Sequence, residues 1–536
     1  MIYQHLRRIA VIALAWSFVF ATPGSLYAGQ EKNNADYVET LTPIKHIVVL
    51  FQENASFDHY FATYPFAQNP AGQPEFHADP HTPRANNLLS GGLLDQNPNS
   101  VQPFRLDRTQ AWTCSQNHSY TPEQQAFDHG LMDQFPQYTG SGGTDYGVQC
   151  DYGHGTGLVM GYFDGNTVTA WWNWAQHYAL SDNFYGTMFG PSSVGALNLA
   201  AGTTSGLTVT GTSSTKGTIA GAALSGVLIG DIDPGLDDCS TASKHATVTD
   251  GSINIGVLLN NADITWGWFQ GGFAPTSGTT LPAVCGSTST SPLIPTPPTA
   301  PEAITDYVSH HNPFDYYAQT ANPHHLLPTG PVGQTDQANH QYDVSLFLNA
   351  IANGTLPSVS FVKAKAIQNG HPGNSDPLDE QAWLVKVVNA IESSQYWNDT
   401  AIIITYDDSD GWYDHQMDTV VNQSNSTVDD ELAGPGSCGT TPVGGNPGRC
   451  GYGPRLPLIV ISRYAKSNYI DHRMTDQSSV IRFIEDNWKL PRVGGDSNDV
   501  KAGSLFGFFD FDGRAPRIIL STTTGQVVSQ FPEFQW

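Results

Sequence analysis

The residues best suited to chemistry in this chain fall in a few short segments. Tyr406-Asp407-Asp408-Ser409-Asp410-Gly411 places two adjacent carboxylates directly behind the apolar, β-branched run 401–405. Consecutive side chains in a strand face opposite sides. Here the strand is ending and a glycine follows, so the backbone can turn both carboxylates toward one ion. Two neighbouring anions repel each other unless a cation or a proton offsets them. Asp408 or Asp410 could instead cap a helix or close an Asx turn, a reading that leaves Asp407 unexplained. Gln52-Glu53-Asn54 closes a second apolar run, 46–51. It offers a carboxylate and an amide at a strand's carboxyl end, where open α/β sheets gather their ligands. Taken alone, it is also an ordinary polar strand-to-loop transition. Gly190-Pro191-Ser192-Ser193 precedes a short predicted helix, 194–201. A hydroxyl beside the unpaired N–H groups and positive end of a helix suits a nucleophile that attacks phosphorus, because those N–H groups can hold anionic oxygens. The plain alternative is that Ser192 or Ser193 caps the helix.

Histidines add to this set in polar contexts, at His118, at His310-His311-Asn312-Pro313 and in Gly370-His371-Pro372-Gly373. Their wide separation does not form a compact zinc motif. It suits residues that bind phosphate or protonate a leaving group, with plain loop histidines as the alternative.

The elements that must position these residues are legible as buried strands at 46–51, 358–362, 401–405 and 456–461 and as helices at 378–394 and 478–488. Strands alternating with helices predict an α/β fold, a mainly parallel sheet covered by helices on both faces. Three Gly-, Ser-, Thr- or Pro-rich stretches, 203–252, 277–301 and 422–450, interrupt that rhythm and are expected to be insertions of β or loop character.

The chain has 536 residues. Arg7 and Arg8, an apolar run and small residues up to Ala28 have the layout of a signal peptide at 1–28, leaving 29–536 as the mature protein, periplasmic or secreted. That apolar run is too short to cross a bilayer, so no stable membrane anchor is expected. Six cysteines are an even set for an oxidising compartment. Sequential pairing is favoured because each neighbouring pair brackets a loop-rich segment, and no CxxC spacing supports zinc. A net charge of −26 argues against nucleic acid as a partner.

Together the segments resemble the bacterial acid phosphatase and phospholipase C phosphoesterase family, which has an alkaline-phosphatase-like core. The matching stretches run from Ile44 through Gln52-Glu53-Asn54 to Ser56-Phe57-Asp58-His59, then through Leu180-Ser181-Asp182-Asn183-Phe184 to Gly190-Pro191-Ser192. They continue through His311-Asn312-Pro313-Phe314 and Gly370-His371-Pro372-Gly373 to Tyr406-Asp407-Asp408 and Asp414-His415. The resemblance implies that Glu53, Asn54, Asp407 and Asp408 are metal ligands and that Ser192 is a nucleophile that also approaches the metal. It implies phosphate-contacting or acid–base roles for His118, His310, His311 and His371, with Asn54 also near the substrate. Such hard donors favour Ca²⁺, Mg²⁺ or Mn²⁺ over zinc. The phospholipase branch typically carries a threonine nucleophile followed by Pro-Asn-Arg, and extra C-terminal β domains. Ser192 is followed here by Ser193-Val194-Gly195-Ala196, and the sequence stops at Trp536.

The expected function is therefore metal-assisted hydrolysis of phosphate monoesters, as in an acid phosphatase. Ser192 would form a phosphoserine, and His311 or His118 would protonate the leaving alcohol. The partner would be a small phosphorylated substrate or a phospholipid head group. The close alternative is a phospholipase C acting on phosphatidylcholine-type diesters. A remoter one is a secreted carbohydrate-binding module, suggested by 12 tryptophans in a Gly/Ser/Thr-rich chain.

Overall fold

His46-Ile47-Val48-Val49-Leu50-Phe51-Gln52 is apolar at nearly every position, as a strand must be when both of its faces are covered. In the computed structural model it forms the central strand β1 (His46–Gln52), buried along its whole length. The structure describes residues 38–211, 216–241, 243–249, 251–273, 285–290, 303–432, 438–439 and 447–531. The predicted signal peptide lies outside these residues. So do all but 285–290 of the insertion at 277–301, and 433–437 and 440–446 of that at 422–450.

Seven further strands complete the sheet: β2 (Ala179–Ser181), β3 (Trp266–Gln270), β4 (Gln341–Asp343), β5 (Val359–Lys363), β6 (Thr400–Tyr406), β7 (Leu458–Ile461) and β8 (Tyr469–Asp471). Their order is β4-β3-β5-β1-β6-β7-β2-β8. β1 pairs in parallel with β5 and with β6, whereas β7 runs antiparallel to both of its neighbours. The sheet is thus mainly parallel, as expected. The four strands predicted from sequence are present with ends shifted by one or two residues. β2, β4 and β8 have only three residues each, too few for a periodic signal, and the tertiary pairing makes them strands. β3, Trp-Gly-Trp-Phe-Gln, carries a glycine that weakens the local signal.

Alternate side chains of β1 feed opposite faces. Val48 and Leu50 join a core that includes Ile402, Ile404, Trp171, Trp174, Val385 and Val388. Ile47, Val49 and Phe51 join one that includes Ile403, Ala196, Leu199, Val480 and Ile484. Helices therefore cover both faces. Five matter here: α1 (Tyr120–Phe127), α2 (Thr169–His177), α3 (Ser192–Ala201), α4 (Pro377–Glu392) and α5 (Ser478–Trp488). The start of α4 follows from Asp376-Pro377: the Asp376 side chain accepts from the N–H groups of Leu378 and Asp379, and proline is preorganised for the first turn. α3 begins at Ser192, two residues earlier than the sequence suggested.

Within 203–252 a separate four-stranded sheet orders Asp233–Pro234, Lys244–Val248, Leu207–Gly211 and Ser225–Gly226. Its Leu207, Val209 and Ile232 pack on Leu197 and Ala201 of α3. The disulfides are Cys114–Cys150, Cys239–Cys285 and Cys438–Cys450, the sequential pairing. No helix among the described residues is long and apolar enough to cross a membrane.

Candidate active site

Three neighbouring parallel strands, β5, β1 and β6, deliver charged residues to one end of the sheet. Lys363 ends β5, Glu53 follows β1, and Asp407 follows β6. All three side chains are fully buried, and the Lys363 ammonium pairs with Glu53 and lies 3.6 Å from Asp407 Oδ2. Lys363 was not singled out from sequence. Lysine is rarely buried, and nothing local to it announces that β5 would lie beside β1.

Ser192 meets this cluster from the other side. It is the first residue of α3, whose N-cap position is taken by Pro191. Its Oγ donates toward Glu53 Oε2 at 3.2 Å and toward Asp408 Oδ2 at 3.1 Å. Two glycines allow the approach. A Cβ on Gly195 would stand 2.1 Å from the Asp407 carbonyl oxygen, so only glycine lets α3 sit against that loop, and Gly190 takes φ +124° just before the helix. Asp408 also closes the Asx turn anticipated for it, accepting the Asp410 N–H on Oδ1 at 2.7 Å. The turn and the Ser192 contact thus use different oxygens. Asn54, at φ 64°, donates its backbone N–H to Asp407 Oδ1 at 3.1 Å and its side-chain amide to Asp410 Oδ1 at 3.2 Å. Its own Oδ1 is buried with no hydrogen-bond partner. Burial and then the Asp407 charge push the Glu53 carboxyl well above its ordinary range. Burial does the same to Asp408, against the pull of His118. A pocket crowded with hard oxygen donors, one of them unpartnered and two unwilling to ionise, fits a divalent cation.

The four histidines gather at the same end. His118 Nδ1 lies 3.1 Å from Asp410 Oδ1, and His311 Nδ1 lies 3.1 Å from Glu53 Oε1. His310 is 3.4 Å from Asp233, and its ring meets that of His311 edge-on at 4.6 Å. The His118 and His371 rings are 6.0 Å apart, and with Asp410 they bring ligand atoms within 4.8 Å of one another. Burial opposes charge on His118, but Asp408 and Asp410 outweigh it and hold this imidazole well above its usual pKa. Asp231 and Asp233 likewise raise His310 against burial. His311 is driven well below its usual value by burial and then by Lys363 and His310, and His371 is lowered by burial. The surroundings therefore favour charge on His118 and His310 and disfavour it on His311 and His371.

Two other carboxylates escaped the sequence reading. Glu123 of α1 accepts the Gly190 N–H at 2.9 Å and the Ser409 hydroxyl at 3.0 Å, tying the turn before Ser192 to the loop after Asp408. Burial pushes it up to about 8. Asp231, just before the Asp233–Pro234 strand of the small sheet, accepts the Ser193 N–H at 2.9 Å. Neither sits in a recognisable motif. Only the Glu at the fourth position of a short helix, and the acidic run Asp231-Ile232-Asp233, hinted at them.

Residues 44–491 match the Phosphoesterase family along one continuous stretch. The chain belongs to that family. Among curated proteins it is 24% identical over 471 residues to the non-hemolytic phospholipase C of Pseudomonas aeruginosa, covering 83% of this chain and 54% of that protein. It is 25% identical over 489 residues to the hemolytic phospholipase C of the same organism, covering 88% and 57%. With phospholipase C A of Mycobacterium tuberculosis it shares 24% identity over 471 residues, covering 84% and 74%. This phosphoesterase spans just over half the length of the two Pseudomonas proteins.

Proposed function

We infer that this chain is a metal-assisted phosphoester hydrolase on an alkaline-phosphatase-like core, an acid phosphatase that cleaves phosphate monoesters through a phosphoserine at Ser192. The observation that carries this reading is the position of Ser192 Oγ, at the start of a buried helix and between Glu53 and Asp408. A serine used only as a cap would turn its oxygen back onto the helix.

Glu53, Asn54, Asp407, Asp408 and Ser192 would hold the divalent ion, with Ca²⁺, Mg²⁺ or Mn²⁺ suited to such oxygen donors. When bound, the ion stabilises negative charge developing on the phosphoryl oxygens and on Oγ. The remaining work falls to the protein. Ser192 Oγ gives up its proton along its contacts with the two carboxylates and forms a bond to phosphorus as the ester P–O bond breaks. At the start of α3 the Ser192 N–H faces a non-bridging oxygen, the Ser193 N–H being held by Asp231. His118, kept protonated by Asp410, donates its proton to the leaving alcohol. His311, low in pKa and set against Glu53, is the weaker choice for that step and instead contacts the phosphoryl group beside His310, His371 and Asn54. Water then attacks phosphorus, and the P–O bond to Ser192 breaks to regenerate the enzyme. Three disulfides are consistent with export to an oxidising compartment.

The names of the similar proteins favour a second reading, a phospholipase C acting on phosphodiesters. One panel separates the readings: a phosphate monoester, a diester and phosphatidylcholine, each with and without chelator across roughly pH 4–9, which titrates carboxylates and histidines. Monoester cleavage that is fastest on the acid side and lost on chelation is the expected result. Faster release of phosphocholine from phosphatidylcholine would assign the chain to the phospholipases. Hydrolysis of none of the three would return it to a binding role.

A further inference from the structure

The insertion at 203–252 brings its own charge to the site. Asp231 is exposed, whereas the next residue, Ile232, is buried under α3. Its carboxylate does not point away into bulk solvent: Oδ1 accepts the N–H of Ser193, the residue after the nucleophile, at 2.9 Å. Although the surrounding protein opposes its charge, His310 and His118 hold it below the usual carboxylate range. Asp233, two residues on, sits at 3.4 Å from His310 and accepts the Thr241 N–H at 2.8 Å.

The positive charges around the phosphoryl position are therefore already matched. His118 faces Asp410, His310 faces Asp233, and Lys363 is fully buried against Glu53 and Asp407. The divalent ion and the start of α3 can hold one phosphoryl group. A second anionic group on the same substrate would meet no free cation among these residues. It would meet Asp231, whose carboxylate lies against the residue after the nucleophile.

We propose that Asp231 is a specificity-determining residue, a fixed negative charge that disfavours substrates with an anionic leaving group and favours those with a neutral or cationic one. This rests on the phosphatase reading above and adds to it the class of ester that is accepted. Like charges a few ångströms apart at a partly solvated site change an equilibrium by roughly tenfold, and salt screens such an effect when solvent reaches the charge.

The test compares kcat/KM for phosphocholine, 4-nitrophenyl phosphate and 3-phosphoglycerate, whose leaving groups are cationic, uncharged until release and anionic. In Asp231→Asn, whose amide oxygen can still accept from Ser193, the preference for phosphocholine over 3-phosphoglycerate falls about tenfold. In the unaltered protein, raising salt from about 0.02 to about 0.5 M narrows the same ratio. This second arm does not depend on the variant folding. An equal fall for all three substrates would make Asp231 a structural support of α3 and overturn the proposal. So would a ratio insensitive to both the substitution and salt in a protein that cleaves phosphomonoesters. Cleavage of none of the three by the unaltered protein would instead overturn the phosphatase reading, and this inference with it.

Discussion

The loop leaving β6 contributes to two buried ionic clusters that are compensated in opposite ways. In the first, Asp414 and Asp58 surround Arg455. The guanidinium Nε lies 3.1 Å from both Asp414 oxygens, and Nη2 lies 3.4 Å from Asp58 Oδ1. Nη1 donates to the carbonyl oxygens of Asn86 and Asp182, and His415 closes the set at 2.5 Å from Asp58. Two acids face an arginine and a histidine, and the guanidinium has partners on every side. In the second, Glu53, Asp407, Asp408 and Asp410 face Lys363 and His118, and Asn54 Oδ1 has no partner. The first cluster is an internal brace. The second has more carboxyl groups than the fold supplies counter-charges, so protons or a cation must make up the difference, the arrangement that a cation-binding site requires. A buried ion pair is costly to break, whereas a buried anion without a partner waits for a proton or a metal.

The sharpest test of this contrast removes the Ser192 hydroxyl, the proposed nucleophile. Ser192→Ala should lower phosphomonoester turnover at least about a thousandfold while leaving the urea unfolding midpoint nearly unchanged. More than a small fraction of residual turnover would remove Ser192 from its role. The opposite signature is expected in the brace. Arg455→Ala leaves two buried carboxylates without their counter-charge and should cost about 3–5 kcal/mol in unfolding free energy, with no recovery on adding divalent ions.

A smaller effect separates the clusters by sign. Burial pushes the Asp408 carboxyl well above its ordinary range and so favours its protonated form when no cation is bound, a form that Asn imitates. Asp408→Asn should therefore change metal-free stability by less than about 1 kcal/mol. A divalent ion at about 100 times its Kd should stabilise the unaltered protein by about 2.7 kcal/mol and the variant by clearly less, as read by thermal unfolding with and without chelator. A metal response left intact in the variant would break the comparison.

The smallest effect is in pH dependence. As the proposed proton donor, His118 can act only below its raised pKa, so activity is expected below that value and lost as pH rises through it. Asp410→Asn removes a carboxylate that sustains the raised value. The basic limb of kcat/KM against pH should then move about one unit toward acid. A limb that stays in place would assign the proton donor elsewhere.

Much of this arrangement was legible in the linear sequence. β1 and β6 showed as apolar runs with Glu53 and Asp407 just past their ends, and α5 matched its predicted span, 478–488, residue for residue. The cysteine pairing followed from the loops that the cysteines bracket. The start of α3 was misplaced because Pro191-Ser192-Ser193 reads equally well as a cap or as a first turn, and the packing of Gly195 on Asp407 decides between them. Lys363 stands one residue beyond the predicted strand 358–362 and ends the observed one, yet its burial depends on β5 lying next to β1. Asp231 and Glu123 reach the site from an insertion and a short helix that carry no motif.

The sequence by itself determined which segments become strands and helices and which polar residues stand at their ends, because propensity, hydrophobic period and capping act over a few neighbouring positions. Only the tertiary structure decided that Glu53, Lys363, Asp407 and Ser192 share one buried volume. Strand order and helix approach are set by contacts between residues hundreds of positions apart, and so is the surplus of carboxyl groups over counter-charges that their meeting creates.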